Sequence, residues 1–151
     1  MMENKTVIRA ALAELLPHEK ALAALKLDAD SGFFDEVEAL LAQAYRIGVP
    51  CAVFGESHVE SSDGAGVVID GVAFEGELAA EKLKEVHRVF PYVASCGVEL
   101  AGWADASADD LLAFYANAFN QHVVGAMAAE VRRRVSEESG FTKLASVNPG
   151  S

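Results

Sequence analysis

A cysteine, a glycine and a glutamate that follow one apolar run offer the clearest chemistry in the sequence. Cys96 and Gly97 end the run, and Glu99 falls in the first turn of the helix predicted after it. Because a helix dipole lowers the pKa of a thiol at the helix N-terminus, Cys96 could be a nucleophile. The alternative is a small buried residue at a tight turn, and no general base stands convincingly beside it. Gly97 is predicted to serve backbone shape, and Glu99 either complements the helix dipole or binds a ligand.

The histidines, serines and glycines lack the spacing that metal, nucleophile or nucleotide-binding sites require. The four histidines show no metal-ligand spacing, and the pair His58 and Glu60, on one face of a predicted strand, is weak evidence for a metal. Ser57, Ser61 and Ser62 have no G-x-S-x-G setting, so a nucleophile elbow is absent. The glycines near residue 65 lack the lysine of a P-loop and the spacing of a dinucleotide-binding turn. No metal site is therefore predicted.

Composition restricts the class of protein. The chain has 151 residues, of which 52% are hydrophobic, which fits one domain, 1–151, with a sizeable core. A net charge of −11 repels phosphate backbones, so nucleic acid is not an expected partner. No apolar run predicts a membrane span or a secretory signal. Cys51 and Cys96 lack a C-x-x-C spacing and are expected to be reduced thiols of a cytoplasmic protein.

The first third of the sequence predicts helices. Residues 5–27 carry apolar side chains at helical spacing, and Pro17 is expected to divide them into two helical pieces. Residues 33–45 form a further amphipathic pattern that should end at Gly48. The apolar run 51–54 then suits a strand.

The remaining two thirds predict a mixture of strands and helices. Asp70-Gly71 between two apolar runs indicates a hairpin. A helix is expected over 77–85, an inner strand over 86–95, and a short helix through Trp103. A long helix should run from an N-cap at Ser107 to Ser139, with Gly140 as its C-cap, followed by a strand over 141–147. These elements predict an α+β fold, a single layer of mostly antiparallel sheet with helices packed on it.

Three pieces of the sequence, in this order, resemble a known family. The segment Phe90-Pro91-Tyr92-Val93-Ala94-Ser95-Cys96-Gly97 reads as a strand entering a helix, an alanine-rich helix follows, and Asn148-Pro149-Gly150 then stands where the family has its Pro-Gly motif. The chain thereby resembles the activation domain of vitamin B12-dependent methionine synthase, most strongly over residues 66–151. The resemblance implies an activation-domain-like α+β body.

The resemblance also implies a function and a ligand. Members of the family bind S-adenosylmethionine in a shallow groove and support the reductive remethylation of a corrinoid protein. The same partner class, a cobalamin-binding protein, is therefore expected here, with cobalamin present only through that partner. The residues implied in ligand binding are Asn148, Pro149, Gly150, Cys96, Gly97 and Glu99. No catalytic constellation is visible in the sequence, so the resemblance does not by itself make the chain an enzyme.

Because the chain departs from the family at three places, S-adenosylmethionine is expected to bind weakly or not at all. Ser146 falls where the family has the arginine that holds the carboxylate of S-adenosylmethionine, and a serine supplies no cation. Gly125 lies at or near the position where the family's long helix has an acidic residue. The sequence also stops inside the Pro-Gly motif, so it is expected to be a truncated piece or to lack part of the groove. The alternative function is a non-catalytic ligand-binding or protein-interaction domain on the same scaffold.

Overall fold

Helices and strands follow one another along the chain in an order that the sequence predicts in part. The computed structural model describes residues 3–69, 71–83, 86, 88–107, 109–140, 144 and 146. Its elements are β1 (Glu3–Arg9), α1 (Leu12–Leu15), α2 (His18–Ala24), α3 (Phe34–Ile47), β2 (Cys51–Ser62), β3 (Gly66–Ile69), β4 (Val72–Glu75), α4 (Glu77–Leu83), β5 (Arg88–Val89), β6 (Tyr92–Ser95), α5 (Val98–Asp105) and α6 (Asp110–Ser139). Within these described ranges, no helix combines the length and the apolar character that crossing a bilayer requires.

The sheet is assembled around β2, a strand of 12 residues. Strands β1, β3, β5 and β6 each pair with β2, and β4 extends the sheet from β3. The pairings β2–β3, β2–β5 and β3–β4 are antiparallel, and the β2–β3 register shifts between Val59 and Ser61. Such a shift bends a strand and lets it serve several partners along its length. The predicted α+β fold with an antiparallel sheet and packed helices is confirmed.

Local signals in the sequence place two elements correctly. Ile69 and Val72 are paired across a two-residue loop, so the predicted hairpin is confirmed; Gly71 in that loop has a φ of 77°, which suits glycine. Asp70, the other loop residue, lies outside the described residues. Helix α3 ends at Gly48, whose backbone N–H donates to the carbonyl of Ala44, as the sequence predicts.

The prediction of a helix from residue 5 is wrong, because residues Glu3–Arg9 form strand β1. Thr6, Val7 and Ile8 are consecutive β-branched residues, which favour extended backbone. Ile8 is buried and Val7 is exposed, the alternation of a half-buried strand. Helical structure begins only at Leu12, and Pro17 does separate two helical pieces, α1 and α2.

The inner strand predicted over residues 86–95 is wrong, because the segment divides into two short strands. Strand β5 ends at Val89 and β6 begins at Tyr92, with Phe90 and Pro91 between them. Proline has no backbone N–H to donate to a ladder, while the Pro91 carbonyl accepts from the Gly55 N–H at 3.1 Å. Val93 is 65% exposed, so β6 is not an inner strand.

The long helix is present, but its first cap is not the predicted Ser107. Helix α6 begins at Asp110, and the side chain of Asp109 accepts hydrogen bonds from the N–H groups of Leu111 and Leu112 at 2.8 and 3.2 Å. Asp109 is therefore the N-cap, since a carboxylate satisfies two free donors and complements the dipole. At its other end the Gly140 N–H donates to Ser136, as predicted. The strand predicted over 141–147 lies outside the described residues except for Leu144 and Ser146.

The chain divides into two compact units, each with its own buried core. The first comprises Met1–Thr6, Val53–Tyr92 and Arg132–Ser151, and the second comprises Val7–Ala52 and Val93–Val131. In the first unit the buried side chains include Phe54, Val67, Ile69 and Val135. In the second, α1, α2, α3, α5 and the N-terminal part of α6 share one apolar cluster. A single domain over 1–151 stays a prediction.

Phe119 lies at the centre of the cluster in the second unit. It is fully buried, and its ring packs edge-to-face against Tyr45 at 5.7 Å and against Trp103 at 5.8 Å between centroids. Rings from α3, α5 and α6 therefore meet at one side chain. Aromatic pairs of this geometry add to the stabilisation that burial provides.

Replacing Phe119 by alanine tests whether this cluster holds the second unit together. We expect Phe119→Ala to lower the free energy of unfolding by about 3–5 kcal/mol, because a large cavity replaces the ring. Chemical denaturation monitored by circular dichroism measures the change. His122→Ala, at an exposed position of the same helix, is the control and should change stability by less than about 0.5 kcal/mol. Equal effects of the two substitutions would contradict the packing described.

Candidate functional site

Gly97 links strand β6 to helix α5 and has a backbone conformation that other residues rarely adopt. Its φ is 92°, and a Cβ added there would lie well under 3.0 Å from the carbonyl oxygen of Val49. The hydroxyl of Ser95 accepts a hydrogen bond from the Gly97 N–H at 2.9 Å. Glycine is required at this step for two reasons, the positive φ and the close approach of another backbone segment. The prediction that Gly97 serves backbone shape is confirmed.

Cys96 is half-buried, and its environment disfavours the thiolate. It packs against the apolar cluster of the second unit, and its Sγ–H points to the Gly97 carbonyl at 3.6 Å. Burial raises the pKa of the Cys96 thiol, and the nearby Cys51 raises it further. Both cysteines are free. The backbone hydrogen bond of Cys96 lowers the pKa, but burial outweighs it, so the geometry favours the small buried residue over the nucleophile.

Glu99 is exposed in the first turn of α5 and leans back over the start of the helix. One carboxylate oxygen lies 3.1 Å from the point that a Cβ on Gly97 would occupy. The backbone N–H groups of a first helical turn have no intrahelical partners, and a negative charge there is stabilising. Helix α5 has no side-chain cap at Gly97, so Glu99 supplies the charge that complements its dipole.

The second group of predicted ligand residues cannot be placed beside the first. Asn148, Pro149 and Gly150 lie outside the described residues. Ser146, two residues earlier, is described and exposed, and its hydroxyl accepts a hydrogen bond from Nη2 of Arg132 at 3.0 Å. A cation therefore stands beside Ser146 after all, supplied by α6 and not by the Pro-Gly segment. Arg132 belongs to the run Arg132-Arg133-Arg134 near the end of the predicted long helix, and this run is the sequence signal for a cation here.

The histidines and carboxylates form no metal centre in the part of the chain that the structure describes. No group of three or more metal-ligating side chains comes together among those residues. His58 is exposed on β2 and His122 is exposed on α6. The described residues of this site provide a glycine-dependent turn, a shielded thiol and a carboxylate at a helix N-terminus, and no nucleophile with a neighbouring base is found among them.

No protein-family model matches the chain, and no curated protein matches its sequence.

Substitution of Gly97 measures how strictly the β6–α5 turn depends on it. We expect Gly97→Ala to destabilise the protein by about 2 kcal/mol or more, because the methyl group would meet the Val49 carbonyl and the φ is unfavourable for alanine. Gly125→Ala is the matched control, since Gly125 lies within α6 with open space around its Cα. There alanine should stabilise by about 0.5–1 kcal/mol. Thermal and urea denaturation measure the stability of both variants. Changes in stability of the same sign would contradict a specific requirement for glycine at position 97.

The reactivity of Cys96 tests whether its thiol is shielded. In a Cys51→Ser variant, a disulfide reagent such as Ellman's reagent should modify native Cys96 roughly tenfold or more slowly than the same residue in guanidinium-unfolded protein. Folding raises the pKa of the Cys96 thiol. The modification rate of native Cys96 should therefore still increase with pH at values where the modification rate of the unfolded thiol has become constant. Equal modification rates of native and unfolded protein at neutral pH would support the interpretation of Cys96 as a nucleophile.

Proposed function

We propose that the chain is an accessory domain of the kind that the methionine synthase activation domain represents, supporting the reductive remethylation of a corrinoid protein. The proposal rests on the resemblance of residues 66–151, and one observation carries it. Strand β6 passes through Ser95-Cys96-Gly97 into α5, and the 30-residue helix α6 follows. This is the order of elements that the resemblance implies. The α+β architecture supports it, although a fold alone does not define a function.

The surface beside Gly97 supports an interaction with another protein. Val98 is 82% exposed and Val93 is 65% exposed, on either side of the Cys96-Gly97 step. Val49, whose carbonyl lies against Gly97, is also exposed. Exposed apolar side chains on segments that meet at the Cys96-Gly97 turn favour a partner that covers them. The same observation supports the second candidate function, a protein-interaction domain that has kept the scaffold without the remethylation role.

S-adenosylmethionine is the ligand that the proposal implies, and Arg132 is the residue we assign to its carboxylate. The guanidinium beside Ser146 can make the bidentate contact that a serine cannot. Loss of such a contact costs roughly 1.5–3 kcal/mol, about ten- to a hundredfold in affinity. The proposed setting is the cytoplasm, where two free cysteines remain reduced.

The direct test uses a cobalamin-binding protein that carries the oxidised cofactor. One electron from an added reductant, together with the methyl group of S-adenosylmethionine, converts cob(II)alamin to methylcobalamin and leaves S-adenosylhomocysteine. We expect the chain to bind such a protein and to accelerate this conversion, followed in the visible spectrum. The variant Val98→Asp, which places a charge on the exposed apolar surface, should weaken binding at least about tenfold without loss of fold.

Calorimetric titration with S-adenosylmethionine separates the two candidate functions. If the chain is an accessory domain, S-adenosylmethionine should bind, and Arg132→Gln should weaken that binding more than Arg134→Gln does. A different result is that the chain binds the corrinoid protein without binding S-adenosylmethionine and without accelerating the conversion of cob(II)alamin. That result would support the second candidate function, a protein-interaction domain. Absence of binding to any cobalamin-carrying protein would contradict the proposal.

A further inference from the structure

A cleft of about 260 Å³ is lined, among the described residues, by residues of the first unit alone. Its walls come from β1, β2, the residues around β5 and the last turns of α6. Phe54 and Phe90 contribute aromatic surface, while Glu56 and Glu138 contribute carboxylates. This volume is slightly below the range usual for ligand pockets, so a small ligand is the appropriate occupant.

The cleft already holds one organic cation of the protein itself. The guanidinium of Arg88 lies over the ring of Phe90, with 5.2 Å between Cζ and the ring centroid. The same guanidinium forms a two-point contact with Glu56, Nη2 to Oε2 at 2.8 Å and Nε to Oε1 at 2.5 Å. This pairing lowers the pKa of Glu56, so the carboxylate remains charged. A ring face and a carboxylate together are the usual means of holding a flat cation.

Glu138 adds a second carboxylate to the described lining of the cleft. Glu56 is paired with Arg88, whereas Glu138 forms no hydrogen bond or ion pair within the described part of the chain. The described lining residues therefore include two carboxylates and one guanidinium. The net charge of −11 adds a field that draws cations towards the protein.

We propose that this cleft binds a small flat organic cation, a guanidinium or amidinium compound, with its charge against Glu138 and its body between the walls of Phe54 and Phe90. The proposal is independent of the corrinoid function. Arg88 and Glu56 show how these walls hold a guanidinium, and Glu138 repeats the carboxylate half of that arrangement for an outside ligand. An anion is disfavoured because the carboxylate of Glu138 would repel it.

Three probes of one shape and different charge test the proposal on the whole chain. Benzamidine is cationic, benzamide is neutral and benzoate is anionic. In ¹H–¹⁵N NMR titrations at low ionic strength we expect benzamidine alone to give saturable shifts, centred on Phe54, Phe90 and Glu138. Its dissociation constant should be on the order of 1 mM for a ligand of this size.

Two substitutions that each remove one negative charge show whether Glu138 contributes to benzamidine binding. Glu138→Gln should weaken benzamidine binding about twofold to fivefold, the effect of one exposed charge contact. Glu36→Gln, at an exposed position of α3 that does not line the cleft, should leave it unchanged. Saturable benzamidine shifts with this difference support the proposal. Equal binding of the three probes, preference for benzoate, equal effects of the two variants, or no saturable shift would each overturn it.

Discussion

The contact of the Gly97 backbone with the Val49 carbonyl is the constraint on which the organisation of the second unit depends. It fixes where α5 begins, and from there Leu100 and Trp103 are carried into the core beside Phe119. The side-chain amide of Asn120 donates to the Leu100 carbonyl at 3.0 Å, which ties α5 to α6 by a buried hydrogen bond. A larger residue at 97 would displace the start of α5, and every contact that follows along that helix would shift with it.

The same turn explains why the residues with the most reactive chemistry are poor candidates for catalysis. Cys96 is placed where burial holds its thiol protonated, and Glu99 is turned towards a helix N-terminus. Val93 and Val98 expose apolar side chains on either side of the turn, and the charged Glu99 is exposed as well. A backbone step flanked by exposed apolar side chains suits recognition of a partner more than bond-making, and the proposed accessory function places the chemistry on the partner's cofactor.

Elements with strong local signals could be predicted from the sequence, and those determined by distant contacts could not. Gly140 marks the end of α6 by its positive φ of 80°, and Gly71 marks the hairpin loop in the same way. Gly48 is extended and marks the end of α3 because a Cβ there would lie too close to the Ala44 carbonyl oxygen. By contrast, Val7 and Ile8 fit a helical pattern as well as a strand, and pairing with β2 decides between them. The polar half of β2 and the contact of Arg132 with Ser146, 14 residues apart, have no local signature. Pro91 did carry a signal against a continuous strand.

Trp103 provides the most direct measurement of whether the Gly97 turn positions α5. It is the only tryptophan in the chain and is 8% exposed, so its fluorescence reports the packing of α5 on Phe119. We predict that Gly97→Ala, in conditions where it remains folded, shifts the emission of Trp103 to longer wavelength and increases its quenching by acrylamide. Gly125→Ala should leave both unchanged. Emission and quenching in Gly97→Ala that match those of the unaltered protein would contradict the dependence of α5 on this turn.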